Sequence, residues 1–149
     1  MNTDAIEILL VEDNPEDLAL ALRALRKSSM ANRIQIARDG AEALEFIFCE
    51  GAFAHRRIDD VPKLILLDIK LPKVDGLEVI ERVKGDSRTR SIPLVVLTSS
   101  TEQSDVVRSY KLGVNSYIVK PVDFDQFAKS VQDLGFYWLL LNHPPHATD

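Results

Sequence analysis

Residues 64 to 76 read Leu-Ile-Leu-Leu-Asp-Ile-Lys-Leu-Pro-Lys-Val-Asp-Gly, and no other stretch constrains the fold as strongly. Leu64, Ile65, Leu66 and Leu67 run together without a polar residue between them. Such a run suits a strand buried on both faces, as in a parallel sheet covered by helices. A carboxylate, Asp68, ends it. Open α/β sheets collect their sites at the carboxyl ends of strands. The loop through Pro72 then leads, at Asp75-Gly76, into a segment with helical spacing. A central strand that delivers Asp68 to a functional rim is the expectation.

The remaining segments fit that frame. Residues 6 to 11 are a mostly apolar strand ending in Glu12-Asp13-Asn14-Pro15. Asn14 or Asp13 can cap a helix, Pro15 suits its first turn, and Glu16 and Asp17 complement its positive end. Leu18, Leu22 and Leu25 mark the inner face of this helix, which should run to about Lys27. Residues 33 to 37 alternate with period two, as a half-buried edge strand does. Asp39-Gly40 is a turn or cap, and residues 41 to 49 show helical spacing at Ala43, Leu44, Ile47 and Phe48, with Cys49 as a small residue on that helix. Residues 50 to 62 have no period and read as an exposed loop, with His55, Arg56 and Arg57 solvated. After the central strand, Leu77, Ile80 and Val83 mark a third helix over 77 to 84. Residues 92 to 97 make a fourth strand, Pro93 near its start, ending at Thr98-Ser99-Ser100. A fourth helix stops at Gly113, and a fifth strand over 114 to 119 ends at Lys120-Pro121. Asp123 and Gln126 form a capping box for a fifth helix. Its row Phe124, Phe127, Val131, Leu134, Trp138 and Leu141 is widened by Phe136, Tyr137, Leu139 and Leu140. That arc exceeds what one sheet buries, so Phe124, Phe127, Phe136, Tyr137 and Leu140 are candidates for a partner or dimer face.

Five strands alternating with five helices imply an α/β fold, a parallel sheet with helices on both faces and right-handed crossovers; the doubly wound order 2-1-3-4-5 is the expectation. The length, 149 residues, favours one domain whose core spans about 6 to 141, with no room for an output domain after it. A net charge of −5 and the lack of a basic block argue against nucleic-acid binding. No run approaches a membrane span, the first residues do not form a secretory signal, and a single cysteine makes no internal disulfide, so a cytoplasmic protein is expected.

The polar residues at strand ends then fall on one rim: Glu12 and Asp13 after strand one, Asp68 after three, Thr98 after four and Lys120 after five. Carboxylates that converge repel one another unless a cation relieves them. An all-oxygen set without paired His or Cys favours Mg2+, with Mn2+ also suitable, over Zn2+. A hydroxyl and an ammonium add nothing to a site that only holds metal, but they suit the oxygens of a phosphoryl group. Asp68 is the best nucleophile, since aspartyl phosphates are known covalent intermediates. Blander readings exist for each residue taken singly. Asp13 and Thr98 can cap helices, Lys120 can be a solvated lysine, Tyr117 a packed strand aromatic, and His143 and His146 merely flank two prolines in the tail.

Val-Glu-Asp-Asn at 11–14, Asp-Ile-Lys-Leu-Pro-Lys-Val-Asp-Gly at 68–76, Leu-Thr-Ser at 97–99 and Tyr-Ile-Val-Lys-Pro at 117–121 occur in order and on the right elements. With these motifs the chain resembles the receiver domain of two-component response regulators. The resemblance implies that Asp68 accepts a phosphoryl group from a phosphohistidine of a sensor histidine kinase. It implies Asp13 and Asp68 as Mg2+ ligands, with the Lys70 backbone carbonyl, and Glu12 acting mostly through water. Lys120 would pair with the phosphoryl group, next to a cis bond to Pro121. Thr98 would move to bond a phosphoryl oxygen and Tyr117 would swing inward behind it, changing the surface of helix four, strand five and helix five. The long loop before strand three and the aromatic-rich last helix are similar to stand-alone receivers that partner bacterial phytochromes, a group that often dimerises through that surface.

Three other functions compete. An aspartate-nucleophile phosphatase of the haloacid-dehalogenase type needs a second aspartate two residues on, where this chain has Lys70. A flavodoxin-like cofactor binder needs a donor-rich first loop, and Glu12-Asp13-Asn14-Pro15-Glu16-Asp17 would repel a phosphate. A receiver that works as an adaptor without phosphorylation would not need the intact site residues.

Overall fold

The computed structural model describes residues 8–27, 33–99 and 101–119. Within them, strands β1 (Ile8–Val11), β2 (Ile34–Ala37), β3 (Leu64–Leu67), β4 (Leu94–Thr98) and β5 (Ser116–Val119) pair in parallel in the order β2-β1-β3-β4-β5. Helices α1 (Pro15–Lys27), α2 (Gly40–Ile47), α3 (Gly76–Gly85) and α4 (Gln103–Leu112) alternate with them. The expected fifth helix with Phe124, Phe127, Phe136, Tyr137 and Leu140, the Lys120-Pro121 pair, Ser100, and the tail with His143 and His146 lie outside the described residues.

The central run behaves as its composition demands. All four residues of β3 are buried, because β1 and β4 flank it and both faces of the sheet carry core. Alternation with period two sends successive side chains to opposite faces. Leu9, Val11, Ile65, Leu67, Leu94 and Val96 pack with Phe46, Ile47, Val79, Ile80 and Val83 of α2 and α3. Ile8, Leu10, Leu64, Leu66, Val95 and Leu97 pack with Leu18, Ala21 and Leu25 of α1. Edge strand β2 is half-buried up to Ala37, as its alternating pattern requires.

Several local expectations are corrected. β4 starts at Leu94 rather than residue 92, because Pro93 has no N–H to give the ladder; its carbonyl instead accepts from Ile65 N at 2.9 Å. β5 starts at Ser116 rather than 114. Asn115 precedes it and grips Leu94 twice, accepting from Leu94 N through Oδ1 and donating its own N–H to Leu94 O, both at 2.8 Å. Cys49 is not on α2 but past its end, in left-handed backbone with φ 57°. The 50–62 connection is not simply an exposed loop. It contains a 3-10 turn at Gly51–Phe53 and folds around Arg56. The Arg56 guanidinium stacks 3.6 Å over the Phe46 ring, and donates to Phe46 O and, at 2.8 Å, to Asp60 O. Phe53 meets the edge of the same ring at 5.2 Å. Desolvation lowers the Arg56 pKa from its ordinary value, opposed by the neighbouring Cys49 sulfur and Asp60 carboxylate. An arginine flanked by His55 and Arg57 looks solvated in sequence, and only the fold supplies the carbonyls and ring that partly bury it.

The loop that follows Asp68 is closed by two glycines. A Cβ on Gly76 would lie 2.3 Å from Ile69 Cα and 2.6 Å from Asp68 O. The Gly76 N–H donates to Ile69 O at 3.0 Å, so the chain returns onto the end of β3 as α3 begins. A Cβ on Gly40, at the start of α2, would fall 1.9 Å from Val74 O. Backbone has no rotamer with which to give way. Gly76→Ala is therefore expected to cost about 3 kcal/mol or more. Urea unfolding should show a lower midpoint with an unchanged slope; an unaltered midpoint would contradict the close approach.

Candidate functional site

Backbone pairing assembles the site before any side chain takes part. Leu10 is in register with Leu66 and Val11 with Leu67. The ladder continues one step past the strands on both sides of β1: Asp68 N donates to Val11 O at 3.1 Å and Glu12 N to Ala37 O at 2.9 Å. Glu12, Asp13 and Asp68 are thus held at one level of the carboxyl rim. One carboxylate oxygen from each lies within 4.8 Å of the others. Glu12 and Asp68 are buried, 5% and 7% exposed, while Asp13 is open to solvent.

Like charges this close, two of them drawn out of water, need compensation. Part of it is local. Asp68 Oδ1 accepts the Lys70 N–H at 3.0 Å, and Glu12 Oε2 accepts the Asn14 N–H at 3.3 Å. The donor set itself, three carboxylates without His or Cys, fits a hard divalent cation such as Mg2+ or Mn2+. Of the two residues that could cap α1, Asn14 does so: its Oδ1 accepts from Glu16 N at 2.9 Å and Asp17 N at 3.0 Å. That leaves Asp13 to the cluster.

Thr98, the last residue of β4, is fully buried. It is in register with Val119, and Val96 with Tyr117. Alternation puts Thr98 on the face of Leu94 and Val96, and Tyr117, half-buried, packs against the cluster those residues belong to. Thr98 and Tyr117 therefore share one face on adjacent strands. Lys120, which follows β5, is outside the described residues.

Lys70 divides its two ends. Its main chain joins the cluster through the N–H, but its ammonium makes an ion pair at 3.2 Å with Asp105 Oδ2 on α4. The hydrogen bond to Asp105, then the Asp105 charge, with smaller contributions from Glu102 and Asp75, raise the Lys70 pKa. Sequence reasoning missed Asp105. Asp105 and Ser109, at i and i+4, form the buried face of α4. Two polar residues at that spacing look like a solvated face, so no hydrophobic pattern marks them. Lys73, at φ 66°, makes the matching contact on the other side, 3.4 Å from Asp39 Oδ2, while Asp39 Oδ1 caps α2 by accepting from Glu42 N at 2.7 Å. Beside the cluster, Asp13, Pro15, Leu18, Ala19, Leu22 and Arg38 line a cleft of about 210 Å³.

Among known families, the model of the response regulator receiver domain matches residues 8–132. The chain is 40% identical over 142 residues to the probable methanogenesis regulatory protein FilR2 of Methanothrix harundinacea, covering 95% of this chain and 89% of that one. The structure of bacteriophytochrome response regulator AtBRR is 56% identical, with a TM-score of 0.74 over 93% of this chain and 98% of that one. The Mn2+-bound form of response regulator Rcp1 is 38% identical, with a TM-score of 0.82 over 94% of this chain and 99% of its own; Rcp1 is a Synechocystis protein.

Divalent cation should stabilise the fold by binding the cluster. At about a hundred times the dissociation constant, Mg2+ or Mn2+ is expected to add about 2.7 kcal/mol, read as a rise in Tm. Asp13→Asn removes an exposed carboxylate of the cluster without disturbing the core and should abolish most of that rise. An equal rise in the variant would exclude Asp13 from the metal site.

Proposed function

The chain belongs to the response regulator receiver domain family, and on that premise we propose that Asp68 is its phosphoacceptor. A carboxylate oxygen of Asp68 attacks the phosphorus of a phosphohistidine on a sensor histidine kinase. The P–N bond breaks as the P–O bond forms, and the imidazole leaves with the bonding pair. The observation that carries this reading is the convergence of Glu12, Asp13 and Asp68 within 4.8 Å on the rim where Thr98 also ends its strand. Residues from about 6 to 141 act as one receiver module, a span that the family match supports.

Asp13 and Asp68 would hold the metal directly, with the Lys70 carbonyl as a further ligand and Glu12 acting mostly through water. When bound, Mg2+ neutralises charge on the phosphoryl oxygens, and the Mn2+-bound Rcp1 structure supports a divalent ion of this kind. Thr98 and Lys120 donate to the remaining oxygens. Water attack on the aspartyl phosphate returns the protein to its starting state, so it catalyses only its own phosphorylation and dephosphorylation. Likeness to AtBRR supports a phytochrome as the sensor kinase. The cleft beside Asp13 offers such a donor protein apolar surface to bury.

Thr98 drawn toward the phosphoryl group leaves space into which Tyr117 turns, and the surface of α4, β5 and the segment after it changes. Val107 and Tyr110, 40% and 50% exposed and one turn apart on α4, support that surface as the homodimer contact. The working compartment is the cytoplasm. The free thiol of Cys49 agrees with a reducing compartment, and no helix among the described residues is long and apolar enough to cross a membrane.

Two measurements test the reading. A small phosphodonor with Mg2+ should add one phosphoryl group by intact mass, and none to Asp68→Asn; no modification from any small donor or histidine kinase would sink it. Sustained hydrolysis of phosphomonoesters would point to a phosphatase instead. Light scattering with and without phosphorylation should find a dimer whose mass or shape responds. Unchanged mass and shape would remove the switch at the dimer surface.

A further inference from the structure

Lys70 is joined to the carboxylate cluster by its own backbone, since its N–H lies 3.0 Å from Asp68 Oδ1. Its side chain is a flexible four-carbon stem carrying a compact charge, anchored two residues from a site where three carboxylates converge. Left to electrostatics, such an ammonium would turn into the cluster, where it would neutralise one charge and occupy space that a cation needs. It does the opposite here. Nζ reaches to α4 and pairs with Asp105 at 3.2 Å, and the carboxylates acting on its charge are Asp105, Glu102 and Asp75.

Asp105 is well placed to win that contest. It is 8% exposed, on the buried face of α4, so its charge is screened less than that of a surface carboxylate. Its N–H bonds to Glu102 O at 3.0 Å within the first helical turn, which fixes its position. Ser109 is also buried on that face, with a hydroxyl that makes no hydrogen bond among the described residues. Lys70 on β3's outgoing loop and Asp105 on α4 thus add an ion pair between α4 and the strand that carries Asp68.

We propose that Asp105 is a positioning residue that holds the Lys70 ammonium against α4 and so keeps the carboxylate cluster open to a divalent cation. This rests on the reading of Glu12, Asp13 and Asp68 as a metal site. Cation binding and the position of α4 are then linked: whatever draws Lys70 toward the rim releases Asp105, and whatever moves α4 releases Lys70 to compete with the metal.

The test is Mn2+ affinity, followed by metal-dependent paramagnetic signal in full-length protein with no phosphodonor, for wild type, Asp105→Asn, Lys70→Met and the double variant. Asp105→Asn should weaken Mn2+ binding about three- to fivefold, the scale of one exposed ion pair. Lys70→Met removes the ammonium and keeps the main-chain carbonyl, so it should tighten Mn2+ binding, and adding it to Asp105→Asn should restore at least wild-type affinity. Hydrogen exchange in α4 should rise in both single variants. Equal affinity in wild type and Asp105→Asn would overturn the proposal. So would a loss that Lys70→Met does not rescue, which would mark Asp105 as a structural residue of α4. Absence of Mn2+ binding in wild type would instead overturn the metal reading, and this proposal with it.

Discussion

Three carboxylates held within 4.8 Å of one another are the constraint on which this molecule turns. Side chains alone would not keep such a group together, since each pair repels. The sheet does it. Glu12 and Asp68 are fixed by main-chain bonds that extend β1 to both neighbours, Glu12 N to Ala37 O and Asp68 N to Val11 O. Behind those bonds stands a core in which every residue of β1, β3 and β4 is buried. Repulsion at the rim is offset by packing below it. The result is an all-oxygen cluster whose donor set fits a hard divalent cation.

The loop from Asp68 to Gly76 carries the consequences outward. It has no regular structure, yet it is tied at both sides: Lys70 reaches Asp105 on α4, and Lys73 reaches Asp39, the cap of α2. Gly76 lets the loop close on β3, and Gly40 lets α2 approach Val74. Both ion pairs are partly exposed and so individually weak. Their importance is geometric. A change of charge at Asp68 has two short routes to helices, one of them to the helix whose outer surface bears Val107 and Tyr110.

How far the chain could be read follows from what each element asks of its residues. The apolar runs of β1, β3 and β4 read as strands buried on both faces, and the alternation of elements makes the sheet parallel. Glu12, Asp13, Asp68 and Thr98 were legible because each stands where a buried run stops. The described residues carry them to one rim, whereas Lys120 and the aromatics expected at a partner or dimer face lie beyond those residues. Arg56 and Asp105 were not legible. Both are charged residues in polar surroundings, and their burial depends on partners distant in sequence: the Phe46 ring and carbonyl for one, Lys70 on another element for the other. Boundaries also moved where a backbone partner was at stake, as at Pro93 and Asn115.

Sequence by itself determined the fold class and which polar residues stand at the strand ends. A period of two or an unbroken apolar run, punctuated by capping residues and glycines, permits few folds, and only oxygen ligands end the relevant strands. Tertiary structure decided which groups those ligands work with. Asn14 rather than Asp13 caps α1, leaving Asp13 for the cluster. The Lys70 ammonium, two residues from Asp68 in the chain, is committed to α4. Hydrophobic periodicity is a local property and survives in one dimension. Coulomb attraction acts through space between elements far apart in the chain, so the partner of a charge emerges only when the sheet brings those elements together.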